Sequence, residues 1–228
     1  MFEPRAIFFD LDGTLVDSVA DMAFAVGKMS TDVGLPAPTT EQVARWVGNG
    51  ATALVKRTLT GTMHGEPEKA LLNQAMPLFK RYYHQNLAQH SELYEHVTHT
   101  LQTLQSAAIP LACITNKPAQ FTDRLLRNIN IAHYFTVVVS GDTLATKKPH
   151  PEPLLYAARQ LNLAISQCLM VGDSKSDIEA AQQAGCPVVA LSYGYNHGED
   201  IRLYKPDITL DSMAQLLPLI TLPSVPPQ

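Results

Sequence analysis

Four short segments carry residue types suited to phosphate chemistry. In Asp10-Leu11-Asp12-Gly13-Thr14 two carboxylates alternate at the end of an apolar run. Residues two apart on a strand share a face, so both can serve one reaction centre at the carboxyl edge of a sheet. Read alone, the segment also fits a Gly turn whose acids cap the next helix. A calcium loop fails, because Thr14 stands where a further Asp or Asn is expected and a strand precedes the motif where an EF-hand has a helix. In Ile114-Thr115-Asn116-Lys117-Pro118 a hydroxyl, an amide and backbone N–H groups precede a helical pattern, which either binds phosphate or caps the helix. Lys147-Lys148-Pro149-His150-Pro151-Glu152-Pro153 holds a lysine on a proline-stiffened backbone, or presents a surface lysine pair. Gly172-Asp173-Ser174-Lys175-Ser176-Asp177 ends another apolar run, before a helix closed by Gly185 and Pro187, with Ser176 a candidate cap.

Gathered at one sheet edge, Asp10, Asp12, Asp173 and Asp177 would raise one another's carboxyl pKa and repel a phosphate dianion. A cation must intervene, and oxygen ligands with few carboxylates point to magnesium, which keeps several waters and bridges to the substrate phosphate.

The elements that must hold these segments follow a regular rhythm. Apolar runs at Ala6 to Phe9, Pro110 to Ile114, Thr136 to Val139, Cys168 to Val171 and Val188 to Leu191, with a weaker sixth at Asp207 to Leu210, are each followed by a turn and a helical pattern. That alternation predicts a parallel α/β sheet covered on both faces. About a hundred residues separate the first two runs, far more than a βα crossover needs. Ser18 and Asp21 resemble a capping box, after which Val19, Met22, Ala23 and Val26 share a face until Gly34 and Pro36 close the helix. Helical patterns over Thr40 to Val47, Ala51 to Leu59 and Glu66 to Gln89 complete a small helical insert, and Val97 to Leu104 returns to the core. The tail from Pro218 to Gln228 reads as a loose end.

Composition narrows the function. The 228 residues are 46% hydrophobic and 17% charged with a net charge of −4, so no basic field favours nucleic acid. No segment approaches the roughly 20 apolar residues that span a bilayer, and the amino terminus lacks a basic region before an apolar run. An unprocessed, soluble cytoplasmic protein is expected, with no nucleic-acid or membrane partner, as a monomer or homodimer. Cys113, Cys168 and Cys186 are expected as free thiols. His84, His90, His96 and His99 lack zinc-site spacing.

Taken together, Asp10-Leu11-Asp12-Gly13-Thr14-Leu15-Val16-Asp17-Ser18, Thr115-Asn116-Lys117-Pro118, Lys148-Pro149-His150-Pro151 and Gly172-Asp173-Ser174 with Asp177 resemble the four motifs of the haloacid dehalogenase superfamily. The resemblance implies a Rossmann-like, doubly wound parallel core at residues 1–16 and 92–228, with a helical cap at 17–91. It implies that Asp10 attacks phosphorus to form an aspartyl-phosphate and that Asp12 protonates the leaving oxygen and then activates water. By the same resemblance Thr115, Asn116 and Lys148 bind the phosphoryl group. Asp10, the backbone carbonyl of Asp12, and Asp173 hold magnesium, and Asp177 supports that shell. Lys147 remains an alternative to Lys148.

Arg45-Trp46-Val47-Gly48-Asn49-Gly50 and Tyr193-Gly194-Tyr195-Asn196-His197-Gly198-Glu199 are similar to segments of bacterial phosphoglycolate phosphatases, which implies a small anionic phosphate ester, 2-phosphoglycolate, as substrate. Gly48, Asn49 and Gly50 could turn backbone N–H groups toward its carboxylate, with Arg45, Lys56 or Arg57 supplying charge; a plain loop between cap helices fits equally. Trp46 is expected in the cap core, and His150 and His197 receive no role. Phosphatases of sugar phosphates or pyrophosphate, and phosphosugar mutases, share the mechanism up to the aspartyl-phosphate. Asp12 argues against carbon–halogen chemistry, and the helical insert against a signalling receiver.

Overall fold

The computed structural model describes residues 1–221. In chain order its elements are β1 (Ala6–Phe9), β2 (Val16–Asp17), α1 (Val19–Asp32), α2 (Thr40–Trp46), α3 (Ala51–Thr60), α4 (Lys69–Asn86), β3 (Glu92–Leu93), α5 (Val97–Ser106), β4 (Leu111–Ile114), α6 (Ala119–Asn128), β5 (Phe135–Val139), α7 (Glu152–Gln160), β6 (Cys168–Gly172), α8 (Lys175–Ala184), β7 (Val188–Leu191) and β8 (Ile208–Leu210). All six apolar runs are strands of one parallel sheet, ordered β5-β4-β1-β6-β7-β8.

The unbroken apolarity of β1 has a direct cause. Ile7 and Phe9 pack with Val97, Leu101, Phe121 and Leu125 of α5 and α6, while Ala6 and Phe8 pack with Leu154, Ala157 and Ile178 of α7 and α8. Alternate side chains thus feed two cores, one on each face, which is why no polar residue interrupts the strand. Strand β1 lies between β4 and β6, so the ends of all three converge where Asp10, Thr115 and Asp173 begin their loops.

Helices α1 to α4 lie between β2 and β3, which pair antiparallel through Val16 with Leu93 and Asp17 with Glu92. This ribbon ties the two ends of the inserted helices together. Trp46 is buried with Met22, Val26, Val55 and Phe79 in the core of the insert, as expected. Cys113, Cys168 and Cys186 are buried and unpaired. Among the described residues no helix is long and apolar enough to cross a membrane.

Two local expectations fail. Ser18 and Asp21 form no capping box: the Ser18 N–H donates to the Tyr195 hydroxyl at 3.1 Å, and Ser18 Oγ donates to Asp12 at 2.5 Å. Both halves of the box are therefore occupied by partners outside the helix, and Asp21 instead accepts from Asn86 Nδ2, the His90 N–H and Ser91, pinning the end of α4. The start of the tail is not loose, because Phe2 bridges Ile220 and exchanges backbone hydrogen bonds with Leu219 and Thr221; 222–228 lie outside the described residues.

Candidate active site

Asp10 follows the end of β1, and its side chain meets the Lys148 ammonium at 2.8 Å. Lys148 is buried, and its Nζ also lies 2.6 Å from Asp177 and donates to the Ile114 carbonyl. Burial opposes the charge on Lys148, yet Asp10 and Asp177 outweigh it and hold the ammonium above the usual lysine range. Lys147 is exposed and donates to the Asn49 carbonyl instead, so of the two lysines Lys148 is the one facing Asp10.

Asp173 is held by donors on both oxygens: the Thr14 hydroxyl on Oδ1 and the Tyr195 N–H on Oδ2, each at 2.6 Å. The close approach of the first loop depends on Gly13, whose φ of +95° is left-handed and where a Cβ would stand 2.2 Å from Asp173 Oδ2. Asp177 accepts from the N–H groups of Asp173 and Ser174 and from Ser174 Oγ. Ser174, and not Ser176, is thus the residue at the start of α8; Ser176 Oγ accepts from Asn49 Nδ2 at 3.2 Å.

Carboxylate oxygens of Asp10, Asp173 and Asp177 all lie within 4.8 Å of one another; Asp10 and Asp173 line the pocket and Asp177 is buried behind them. Burial is the main force that raises the Asp10 carboxyl to about 7, opposed by Lys148 and reinforced by Asp177. Burial also lifts Asp173 well above the carboxylate range, with Asp10 and Asp177 adding to it. Four carboxyl groups face two ammonium groups here, an excess of acids that burial already pushes toward the neutral form at Asp10 and Asp173. Hard oxygen donors with surplus charge fit a small divalent cation, and Asp177, already saturated by Lys148 and Ser174, suits support better than direct ligation.

Asp12 stands apart from this cluster. Both of its oxygens are near Lys117 Nζ, at 2.9 and 3.1 Å, and Oδ1 also accepts from Ser18. Lys117 in turn donates to the Tyr83 hydroxyl of α4, and its ammonium lies 4.8 Å from that ring's centroid. Neither Lys117 nor Tyr83 stood out in the sequence as a site residue. Only the Thr-Asn-Lys-Pro segment containing Lys117 hinted at it.

Thr115 and Asn116 reach the pocket wall, but not as a helix-terminal phosphate cradle. Helix α6 begins later, at Ala119, whose N–H donates to Asp142 at 2.8 Å, and the Thr115 hydroxyl accepts from the Lys117 N–H. Asn116 Nδ2 donates to the Lys148 carbonyl at 2.9 Å, fixing the loop that carries the lysine.

Gly48, Asn49 and Gly50 close the pocket from the insert. At Gly50 (φ +90°) a Cβ would sit 2.9 Å from the Asn116 carbonyl, so the loop approaches the core through glycine. Of the three cations expected beside it, two point away and only Arg57 touches the loop. Arg45 pairs with Glu41 and Lys56 with Glu66 on the surface; Arg57 donates to the carbonyls of Trp46, Gly48 and Met63 and to Asn49 Oδ1, shaping the loop. His197 adds a tie from the core, its Nδ1 lying 2.8 Å from the Arg45 carbonyl. His150 accepts from the Glu152 N–H at the start of α7.

Residues 7–191 match the family model for haloacid dehalogenase-like hydrolases. The chain belongs to that family. This haloacid dehalogenase-like hydrolase is 46% identical over 219 residues to the phosphoglycolate phosphatase of Nitrosococcus oceani, covering 96% of this chain and 97% of that protein. It is 43% identical over 235 residues to the phosphoglycolate phosphatase of Escherichia coli K12, covering 96% and 93%. A crystal structure from Haemophilus somnus, described as a predicted phosphoglycolate phosphatase, superposes with a TM-score of 0.91 at 38% identity, covering 96% of this chain and 99% of that one.

Proposed function

We propose that this hydrolase is a magnesium-dependent phosphatase that cleaves 2-phosphoglycolate to glycolate and phosphate through an aspartyl-phosphate on Asp10. The observation that carries the reading is the division of labour between two carboxylates two residues apart: Asp10 faces Lys148, and Asp12 faces Lys117 and Ser18. An Asp10 oxygen attacks phosphorus as Asp12 gives its proton to the departing ester oxygen; Asp12 then takes a proton from the water that hydrolyses the acyl phosphate. Lys148 and Thr115 steady the transferring phosphoryl oxygens, and Asn116 orients Lys148 through its carbonyl. Asp10, the carbonyl of Asp12, and Asp173 would hold the cation, with Asp177 and Thr14 orienting the ligands. When bound, magnesium neutralises charge on the phosphoryl group.

Residues 17–91 act as a cap over a core of 1–16 and 92–228, with the Gly48-Asn49-Gly50 loop as its wall against substrate. The substrate assignment draws on the two phosphoglycolate phosphatases to which the chain is 43 to 46% identical. The apolar walls formed by Met22, Leu54, Phe79 and Phe121 offer no hydrogen bonds to a sugar's hydroxyls, which weighs against a sugar phosphatase or mutase. Buried free thiols suit the reducing cytoplasm in which we place the enzyme.

Phosphate release from 2-phosphoglycolate, hexose phosphates, triose phosphates and pyrophosphate tests both parts of the reading. With magnesium, kcat/KM for 2-phosphoglycolate is expected to exceed the others by about tenfold or more, and EDTA is expected to remove the activity until magnesium is restored. Turnover that persists in EDTA contradicts the metal requirement. A preferred sugar phosphate keeps the chemistry and overturns the substrate.

A further inference from the structure

The pocket contains a second buried cation that the reaction as described leaves without a ligand of its own. Among the described residues lining it, Lys117 and Lys148 are the two that carry positive charge. The Lys117 side chain is 3% exposed. Taking an ammonium out of water is costly unless anions or oriented acceptors surround it, and here Asp12 and the Tyr83 hydroxyl do so.

The two lysines are assigned to different ends of the bond that breaks. Lys148 touches Asp10, the attacking group, at 2.8 Å; Lys117 touches Asp12, the group that meets the departing oxygen, at 2.9 Å. In an in-line displacement the nucleophile and leaving group occupy opposite sides of phosphorus, so an ammonium held against the acid stands beside the leaving group. In 2-phosphoglycolate a single carbon separates the ester oxygen from the carboxylate, which places the carboxylate oxygens roughly 3 Å from the ester oxygen. A carboxylate that close to the ester oxygen protonated by Asp12 lies beside the ammonium that Asp12 holds at 2.9 Å.

Other sources of positive charge do not compete. Arg45 and Lys56 are paired at the surface, Arg57 is consumed by the carbonyls of its own loop, and Lys147 holds the Asn49 carbonyl. Besides the uncharged Gly48-Asn49-Gly50 loop and Tyr83, the insert side of the wall is Met22, Val47, Ala51, Leu54 and Phe79. Phe79 stacks on Tyr83 with ring centroids 5.4 Å apart, and Tyr83 meets Phe121 edge-on at 4.8 Å, so the phenol that grips Lys117 is itself fixed by aromatic packing between the insert and the core.

We propose that Lys117 determines specificity by pairing its ammonium with a carboxylate on the leaving group, one carbon from the ester oxygen, while Tyr83 fixes its position. The inference rests on the phosphatase reading above and names a recognition residue that it lacks. It makes the enzyme selective for phosphate esters of α-hydroxy acids over alkyl phosphates of the same size that lack the carboxylate.

The test compares 2-phosphoglycolate with ethyl phosphate, which keeps the two-carbon skeleton and lacks the carboxylate, in the wild type and in Lys117→Met. The ratio of the two kcat/KM values is the readout, because loss of support for Asp12 lowers both and only loss of carboxylate recognition changes the ratio. Wild type is expected to favour 2-phosphoglycolate strongly, and the variant to lose about 10- to 100-fold of that preference, the scale of a charged hydrogen bond. Lys117→Gln, which is one atom shorter but keeps a neutral donor for Asp12, replaces the Met variant if circular dichroism shows the latter unfolded. Calorimetric binding of 2-phosphoglycolate and ethyl phosphate in an Asp10→Asn background gives the ground-state part of that preference if turnover becomes too slow to follow. A preference unchanged by the substitution, with both esters slowed equally, overturns the role of Lys117 and leaves the substrate standing. A wild type indifferent to the carboxylate overturns the substrate assignment and this inference together.

Discussion

Asp10→Asn is expected to lower kcat by on the order of 10⁴ or more, the scale on which a covalent nucleophile is lost, with no loss of stability. The substitution keeps the size of the side chain and a carbonyl oxygen near Lys148 Nζ, which lies 2.8 Å from Asp10 in the native chain. It removes an acid from a buried group of three carboxyls, where burial, reinforced by Asp177, already pushes the Asp10 carboxyl up to about 7. An amide cannot attack phosphorus as a carboxylate does, so the chemical step fails in a protein that still folds. Phosphate release measured beside a thermal unfolding curve checks both halves. A variant within tenfold of wild-type turnover would remove Asp10 from the reaction.

Lys148→Ala is expected to damage stability as well as activity. Its ammonium bridges Asp10 and Asp177 and donates to the Ile114 carbonyl, all in the interior. Without it two buried carboxylates lose their counter-charge, a change that costs about 3–5 kcal/mol where one partner of a buried pair is removed. In a chain of this length that corresponds to a Tm lower by roughly 6–20 °C, and loss of the phosphoryl clamp should lower kcat/KM by about 10³. Lys147→Ala should change either quantity little, since Lys147 is exposed and its partner is a backbone carbonyl. The two variants exchanging these outcomes would reverse the assignment of the lysines.

The strands were legible in the sequence because the sheet is buried on both faces, so each run stays apolar without interruption. The four motifs were legible because each chemical residue follows directly on such a run. What escaped was set by side-chain partners that lie outside each motif. Ser18 reads as a helix cap, but its hydroxyl and N–H are claimed by Asp12 and Tyr195. Lys117 reads as one residue of a phosphate-binding turn, and its pairing with Asp12 across 105 positions and with Tyr83 of α4 has no local signal. Arg45 and Lys56 read as candidate anion ligands because charge is visible in a sequence and direction is not; both point to acidic neighbours on the surface. The segment after Pro218 reads as a tail because prolines break regular structure, yet Ile220 finds an edge partner in Phe2 at the opposite end of the chain.

Acid quenching of the enzyme during turnover of 2-phosphoglycolate, followed by mass spectrometry of its peptides, addresses the covalent step most directly. Asp12→Asn should improve the trap, because Asp12 activates the water that clears the intermediate; aryl phosphates, whose leaving groups depart without a proton from Asp12, can load it if 2-phosphoglycolate does not. The account predicts a phosphoryl group on the peptide containing Asp10, labile at neutral pH and absent from Asp10→Asn. Phosphate found on another residue, or rapid turnover with no phosphorylated peptide in either protein, would contradict it.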